Sequence, residues 1–375
     1  MIDLLLKLGG LQALIIAVFL FRKKANNDNS NVILAFLLFS LAFSCLFYSF
    51  NNLEFYLKFP HLIRVDWGIP LLFGPLVYLY TLELLNDGKQ LGKKYVHFIP
   101  YLINLIILFP FFIKSAEEKI QILDYFTASI ASGTDTYFYY SFILRLAISI
   151  ISISYAFSSL KIVRAYSNKL KNEYSNTEAL KLDWLRILLN SFMVLSVFFI
   201  ITSIITFGDR YPQFDYDVFY FLFIFILIYI LGYKALSQSK IKTFIDDENS
   251  SKDVLKSKVE NKELTFQAEQ LIAYVIQEKP YLNGELKASE LAKDINLTRH
   301  RLSQILNKAL GKNFYDFINE YRAEEFKNRL QSAENDHLTL LGIALDSGFN
   351  SKTTFNTIFK KITGLTPSAY KKSIK

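Results

Sequence analysis

The sequence predicts an all-α protein in two unlike parts: an N-terminal seven-helix transmembrane bundle, then a cytoplasmic all-helical domain with two helix-turn-helix units. Three observations lead there. The long apolar runs all lie before Ser237. The loops between those runs alternate between rich and poor in Lys and Arg. Beyond Glu263 apolar residues recur at helical spacing, and a pattern of short helix, tight turn and capped helix occurs twice.

Composition bounds the function. Of 375 residues, 52% are hydrophobic and 20% charged, an average over an apolar first part and an ordinary soluble second part. The net charge of +8 sits largely in short loops between apolar runs, and Glu263 to Lys375 carries about +3, so charge alone does not argue for nucleic acid. The single cysteine, Cys45, excludes an internal disulfide and a cysteine metal site. His61, His97, His300 and His337 form no ligand-spaced cluster. There is no Walker loop, no HExxH and no pair of carboxylates with a His inside the apolar runs, so neither an enzyme nor a cofactor is expected.

Crossing the hydrocarbon core takes about 20 residues as a helix. Ile2–Phe21, Val32–Phe50, Val65–Leu85, Tyr95–Ile113, Tyr137–Leu160, Trp184–Phe207 and Tyr216–Leu236 meet that requirement, and residues 1–236 form the membrane module. Arg22, Lys23 and Lys24 follow the first span, Lys89, Lys93 and Lys94 the third. Lys161, Arg164, Lys169, Lys171 and Lys181 follow the fifth, and Lys234, Lys240 and Lys242 the seventh. The alternate loops carry fewer cations: Lys58 and Arg64, then Lys114 and Lys119 among acids, then Arg210. The positive-inside rule puts the N-terminus outside and everything after the seventh span in the cytoplasm, which makes a multi-pass membrane protein. The cations follow the first apolar run instead of preceding it, so that run reads as a retained helix and not as a signal peptide.

Three residues of the spans are candidates for a sensor site. An intramembrane Arg, here Arg145, is a functional-site hypothesis, against the plainer reading that it snorkels or pairs with a carboxylate. Asp66 and Trp67 open WGIPLLFGP, whose Gly and Pro residues suggest a kinked helix lining a pocket, or simply close packing. Residues 237–263 form a charged cytoplasmic linker with too little apolar surface to fold alone. If flexible it spans roughly 30 Å; a short helix continuing the seventh span is the other reading.

The domain at 264–375 divides into amphipathic helices. TFQAEQLIAYVIQEKPYL sets Phe266, Leu271, Ile272, Val275 and Ile276 at apolar positions. A short helix with Leu291 and Ala292 inward then turns at Asn296–Leu297, and Thr298 caps a second that buries Leu302, Ile305 and Leu306 and stops at Gly311. NFYDFINEYRAEEFKNRL forms a long helix with Phe314, Phe317, Ile318, Tyr321 and Phe326 as its stripe. The pattern then returns: Leu341, Ile343 and Ala344 in a short helix ended by Gly348, and Ser351 capping a helix that buries Phe355, Ile358 and Phe359.

Such a pair points to duplex DNA, because the first turns of a recognition helix carry the side chains that reach base edges in the major groove. The early exposed sides of these helices carry Arg299, His300, Arg301, Ser303 and Gln304 in the first unit, and Lys352, Thr353, Asn356 and Thr357 in the second. Arg301, Lys308, Lys360, Lys361, Lys371 and Lys372 are placed to meet phosphates.

The stretch GFNSKTTFNTIFKKITGLTPSAYKK resembles the C-terminal signature of AraC-family transcription regulators at Gly348–Phe349, Phe355, Phe359–Lys360, Gly364, Thr366–Pro367 and Tyr370. LAKDINLTRHRLSQIL and GKNFYDFINEYR are similar to the first unit of that family. The resemblance implies sequence-specific binding of double-stranded promoter DNA, with the base-reading surface carried over by position to Arg299, His300, Ser303 and Gln304 and to Lys352, Thr353, Asn356 and Thr357. Phe326 stands where the family usually has Ala, and Lys371 where it usually has Arg. The N-terminal part, through pieces such as FGPLVYLY, is similar to multi-span modules that precede this domain in some membrane-anchored regulators.

The reading that joins both parts is a membrane-tethered transcription regulator whose bundle senses an unknown signal in or near the lipid bilayer. Two alternatives stand beside it: a transporter or receptor whose tail is a DNA- or protein-binding localisation module, and a bundle that only anchors. RNA polymerase and a second copy are compatible partners, although two recognition helices in one chain already span two groove segments.

Overall fold

The computed structural model describes residues 2–22, 29–50, 52–86, 94–129, 136–177, 182–208, 215–237, 259–335 and 337–374. Among these residues the protein is all-α with no β-strand; one isolated antiparallel bridge joins Tyr174 and Lys287. The chain forms two compact units, Met1–Arg164 with Leu182–Phe244, and Ala165–Lys181 with Ile245–Lys375.

The first unit contains α1 (Ile2–Arg22), α2 (Asn29–Phe50), α3 (Leu53–Lys58), α4 (Phe73–Asn86), α5 (Ile99–Phe112), α6 (Ala116–Ser129), most of α7 (Thr136–Glu173), α8 (Asp183–Gly208) and α9 (Asp217–Ser237). Among the described residues, five stretches are long and apolar enough to cross a membrane: Ile2–Arg22, Asn29–Phe50, Lys94–Phe112, Tyr139–Glu173 and Asp183–Gly208. Ile69–Leu85 and Asp217–Tyr233 are shorter apolar helices at the third and seventh expected positions. The outward faces are apolar too: Ile15, Ile106, Ile143, Ile187 and Val194 are each more than 60% exposed. Water disfavours such a surface by about 25 cal/mol per Å²; these helices are compatible with membrane insertion.

The third expected span, Val65–Leu85, needs correction. Helix begins only at Phe73, and the residues before it form turns and a 3-10 turn, Ile69–Leu72. Gly68 is left-handed at φ 91°, and a Cβ there would lie 2.2 Å from Asn104 Nδ2, so the chain bends tightly against α5 before the helix starts. Pro70 sits at the start of the 3-10 turn, where its missing N–H is harmless. The fifth helix, by contrast, overruns the expected Leu160 by several turns and reaches Glu173 with no Gly or Pro to stop it. Lys23, Lys24, Lys89, Lys93, Lys181, Arg210, Lys240 and Lys242 lie outside the described residues, as does 238–258 of the expected linker.

The second unit contains α10 (Val259–Glu278), α11 (Ala288–Asp294), α12 (Arg299–Gln304), α13 (Phe314–Gln331), α14 (Leu340–Asp346), α15 (Lys352–Thr363) and α16 (Pro367–Ser373). Two hydrophobic cores lie along it. Leu264, Ala268, Leu271 and Val275 of α10 meet Leu291, Leu302, Ile305, Phe314, Phe317 and Ile318 in the first. Tyr315, Ala323 and Phe326 meet Ile343, Ala344, Phe349, Phe355, Ile358 and Phe359 in the second. Helix α13 serves both because successive positions about 100° apart present different faces to the two sides. The face of α10 that packs runs through 264, 268, 271 and 275, which turns Phe266 and Ile276 outward, each 58% exposed. Leu341 is also turned out, since Ile343 and Ala344 take the inner face of the short α14.

Candidate nucleic-acid interface

The two helical pairs are built alike. In the first, Asn296 is left-handed at φ 56°, and Leu297 N–H donates back to Ala292 O at 2.8 Å. In the second, Gly348 is left-handed at φ 91°, and Phe349 N–H donates to Ala344 O at 3.1 Å. This back-bonded turn ends a helix and reverses the chain within a few residues. One extra residue, Asn350, lengthens the second turn. A hydroxyl then starts each following helix: Thr298 Oγ1 accepts from Arg301 N, and Ser351 Oγ from Thr354 N, both at 3.2 Å. The buried residues after the caps correspond as well, Leu302, Ile305 and Leu306 with Phe355, Ile358 and Phe359.

With the apolar faces thus fixed, Arg299 and His300 on α12 and Lys352, Thr353, Asn356 and Thr357 on α15 are exposed, while Ser303 and Gln304 are half-buried. These are the side chains proposed as base readers. Asn356 offers both a donor and an acceptor, the pair an adenine edge can meet. Thr357 Oγ1 donates to Thr353 O at 2.9 Å, and Ser303 Oγ accepts from Asn307 Nδ2 at 3.1 Å. Helix α12 passes into a single π-helical turn, Ile305–Ala309, before Gly311.

The proposed phosphate contacts divide. Lys308, Lys360 and Lys372 are exposed and Lys371 half-buried. Lys361 Nζ lies 2.9 Å from Asp316 Oδ1, tying α15 to α13. Arg301 is held to α10: its Nε donates to Gln267 Oε1 at 2.7 Å, and Nη2 lies 3.0 Å from Glu263 Oε1. Arg299, also proposed as a base reader, is ion-paired with Glu173.

Sequence reasoning missed the group that braces the unit. Arg322 is fully buried on α13, yet no carboxylate pairs with it among the described residues. Its Nε donates to Tyr281 O at 2.8 Å; Nη1 donates to Ser175 O at 3.1 Å and Asn319 Oδ1 at 3.2 Å; Nη2 donates to Ser175 Oγ at 3.0 Å and Asn283 O at 2.7 Å. Burial pushes its pKa down to about 10, so it stays cationic at neutral pH. Nearby, Glu325 joins Lys279, Tyr281 and Arg329, with oxygens 3.1, 3.2 and 2.9 Å from them. Burial and the adjacent Glu325 push the Tyr281 phenol up to about 12. The only sequence signal for this role is an Arg on the stripe side of an amphipathic helix.

The proposed sensor residues lie in the first unit. Arg145 forms a bidentate pair with Asp217, Nη1 to Oδ1 at 2.9 Å, with its guanidinium 4.8 Å from the Phe199 ring centre. Asp66 and Trp67 lie elsewhere, in the turn before α4. Trp67 O accepts from Asn104 Nδ2 at 3.0 Å, Asn104 Oδ1 accepts from Tyr140 OH at 2.6 Å, and the Trp67 and Tyr140 rings stack at 6.2 Å. Among the described residues, Asp66 Oδ1 has no hydrogen-bond partner. Among the described residues, no group of three or more His, Cys, Asp or Glu could hold a metal ion.

Residues 291–373 match the model of a helix-turn-helix domain family. Over 91 residues the chain is 32% identical to an uncharacterised HTH-type transcriptional regulator of Staphylococcus aureus (strain COL), covering 24% of this chain and 12% of that protein. It is 29% identical over 106 residues to the Msm operon regulatory protein of Streptococcus mutans serotype c, covering 27% of this chain and 37% of that protein. The match therefore spans a minor part of these relatives' length. No solved structure matches the chain. The paired capped helices and the family match agree: the C-terminal part of this protein carries a helix-turn-helix domain of the kind found in transcriptional regulators.

Proposed function

We propose that the protein is a membrane-tethered, one-component transcription regulator that reads promoter DNA through α12 and α15. The observation that carries this reading is the repeated geometry of those helices, each started by a capping hydroxyl, buried along one face and polar along the other. Helix α13 between them is 18 residues, about 27 Å long, a rigid spacer suited to setting two helices on one side of a duplex. The named relatives, regulators by their descriptions, support the DNA-binding part. The apolar outer faces of α1, α5, α7 and α8 support the membrane part.

The orientation with the C-terminal domain in the cytoplasm draws support from two sources. One is the cation-rich loops. The other is that Ala165–Lys181, which follows the apolar part of α7, shares a compact unit with Ile245–Lys375, so both belong on one side of a membrane. Asp66, Trp67 and Arg145 remain the proposed sensor residues.

The test is crosslinking capture of genomic DNA by the full-length protein beside an Asn356→Ala/Thr357→Ala version. Sharp sites lost in the variant support the reading. Equal, diffuse enrichment in both sinks it, and would leave the domain as a protein-binding or localisation module.

A further inference from the structure

Within the second unit, the end of α7 and the residues after it, Glu173 to Thr177, are seated against the helix-turn-helix domain. Tyr174 forms the antiparallel bridge with Lys287. Ser175 is fully buried: its N–H and Oγ–H donate to Leu286 O at 3.2 and 2.8 Å, and its own carbonyl and hydroxyl oxygens accept from Arg322. Asn319 Nδ2 also donates to Ser175 O, at 3.1 Å. Asn176 Nδ2 donates to Glu285 Oε1 at 3.4 Å, and Thr177 is buried. Glu173, its side chain only 13% exposed, holds the guanidinium of Arg299. A seat that satisfies the backbone and side chain of one small hydroxyl residue is a built recess, since buried polar groups are costly unless paired.

Two features of this seat bear on DNA. Arg299 is the first residue of α12, where base-edge contacts are made. While its charge is paired with Glu173, it is not free for guanine or phosphate, and the carboxylate beside it repels a phosphate backbone. The segment also continues directly from α7, which runs from Thr136 without a Gly or Pro to absorb movement.

We propose that the Glu173–Thr177 segment is an internal competitor for the DNA-reading face: seated, it holds the protein in a low-affinity form, and its withdrawal frees Arg299. This rests on the DNA-binding reading above. A ligand or membrane state that favours the unseated arrangement then raises affinity by the difference in its binding to the two states. The seat accepts a serine side chain at position 175 and pairs Arg299 with an acidic residue two positions before it.

The test locks the seat in the full chain, in lipid nanodiscs. Tyr174 and Lys287 are a non-hydrogen-bonded antiparallel pair, with Cα atoms expected about 4.5 Å apart, within the span of a disulfide. The native Cys45 is buried and does not compete. A Tyr174→Cys/Lys287→Cys protein is used, reduced, to select duplexes from a random library, and affinity for the selected duplex is compared in reduced and oxidised forms. The proposal expects the oxidised form to bind about tenfold more weakly, with recovery on reduction. It also expects Glu173→Gln, in the otherwise native chain, to bind the selected duplex more tightly than the parent. Equal or tighter binding by the oxidised form overturns the competitor while leaving DNA recognition intact. If the reduced form prefers no selected duplex over a scrambled one, the DNA-binding reading falls, and the competitor with it.

Discussion

Asn296 and Gly348 occupy the same point of the two turns, left-handed at φ 56° and 91°, yet they are not interchangeable. A Cβ on Gly348 would lie 2.2 Å from Tyr281 O and 3.0 Å from Arg322 Nε, so the second turn is closed on its inner side. Asn296 already carries a Cβ in an exposed position. Asn296→Gly should therefore change stability by less than about 1 kcal/mol, since Asn tolerates this region. Gly348→Asn should cost more than about 2 kcal/mol, combining overpacking with displacement of the Arg322 hub. Thermal unfolding of the two variants in the same detergent separates them, and equal shifts contradict the steric argument.

Phe326 stands where the AraC family usually has Ala, and here it is a core residue. Its ring centre lies 4.5 Å from Phe355 and 5.1 Å from Phe359, and it is fully buried. Phe326→Ala should destabilise the second unit by about 3–5 kcal/mol. Hydrogen exchange should show the loss concentrated on α14 and α15, with α11 and α12 less affected.

Base reading and phosphate contact predict different mutant behaviour. Asn356→Ala should cost about 1–3 kcal/mol on the preferred duplex and little on a scrambled one. Lys371→Ala should weaken both alike and reduce the slope of log affinity against log salt by about one. Equal losses on both duplexes for Asn356→Ala would remove it from the reading face.

Glu325 links stability to pH. Burial alone would raise its carboxyl, but hydrogen bonds and charge from Lys279 and Arg329 outweigh that and hold it below the ordinary value of 4.5. A group with a lowered folded value stabilises above its unfolded value, and that stability is lost as pH falls through the folded one. Glu325→Gln should thus be less stable than the parent by about 1–3 kcal/mol at pH 7. The gap should narrow as pH drops below about 4.5. Unfolding curves at several pH values check it, and a gap independent of pH would place the effect in packing.

Much of the second unit was legible because its signals are local. Thr298 and Ser351 announce helix starts, Gly311 and Gly348 announce ends, and Phe355, Ile358 and Phe359 mark one face. What periodicity could not show was long-range or against type. Arg322 reads from sequence as a surface residue, and only its distant neighbours Ser175, Tyr281 and Asn283 reveal it as interior. The overrun of α7 to Glu173 was hidden because polar residues after Leu160 end a membrane span without ending a helix. From sequence Gly68 and Pro70 suggest a kink within a span, whereas their backbone needs delay the helix itself to Phe73. Phe266, Ile276 and Leu341 share the apolar character of core residues but lie off the faces that pack, Phe266 two positions from both Leu264 and Ala268 and Ile276 one past Val275.

Helix α13 gives Phe314, Phe317 and Ile318 to one core and Tyr315, Ala323 and Phe326 to the other. Neither motif is therefore a detachable module. A fragment cut to either half would leave three large or closely packed apolar positions of its own backbone helix uncovered, a surface prone to self-association. The spacing between α12 and α15 is set by this single stretch of helix, on which both cores draw.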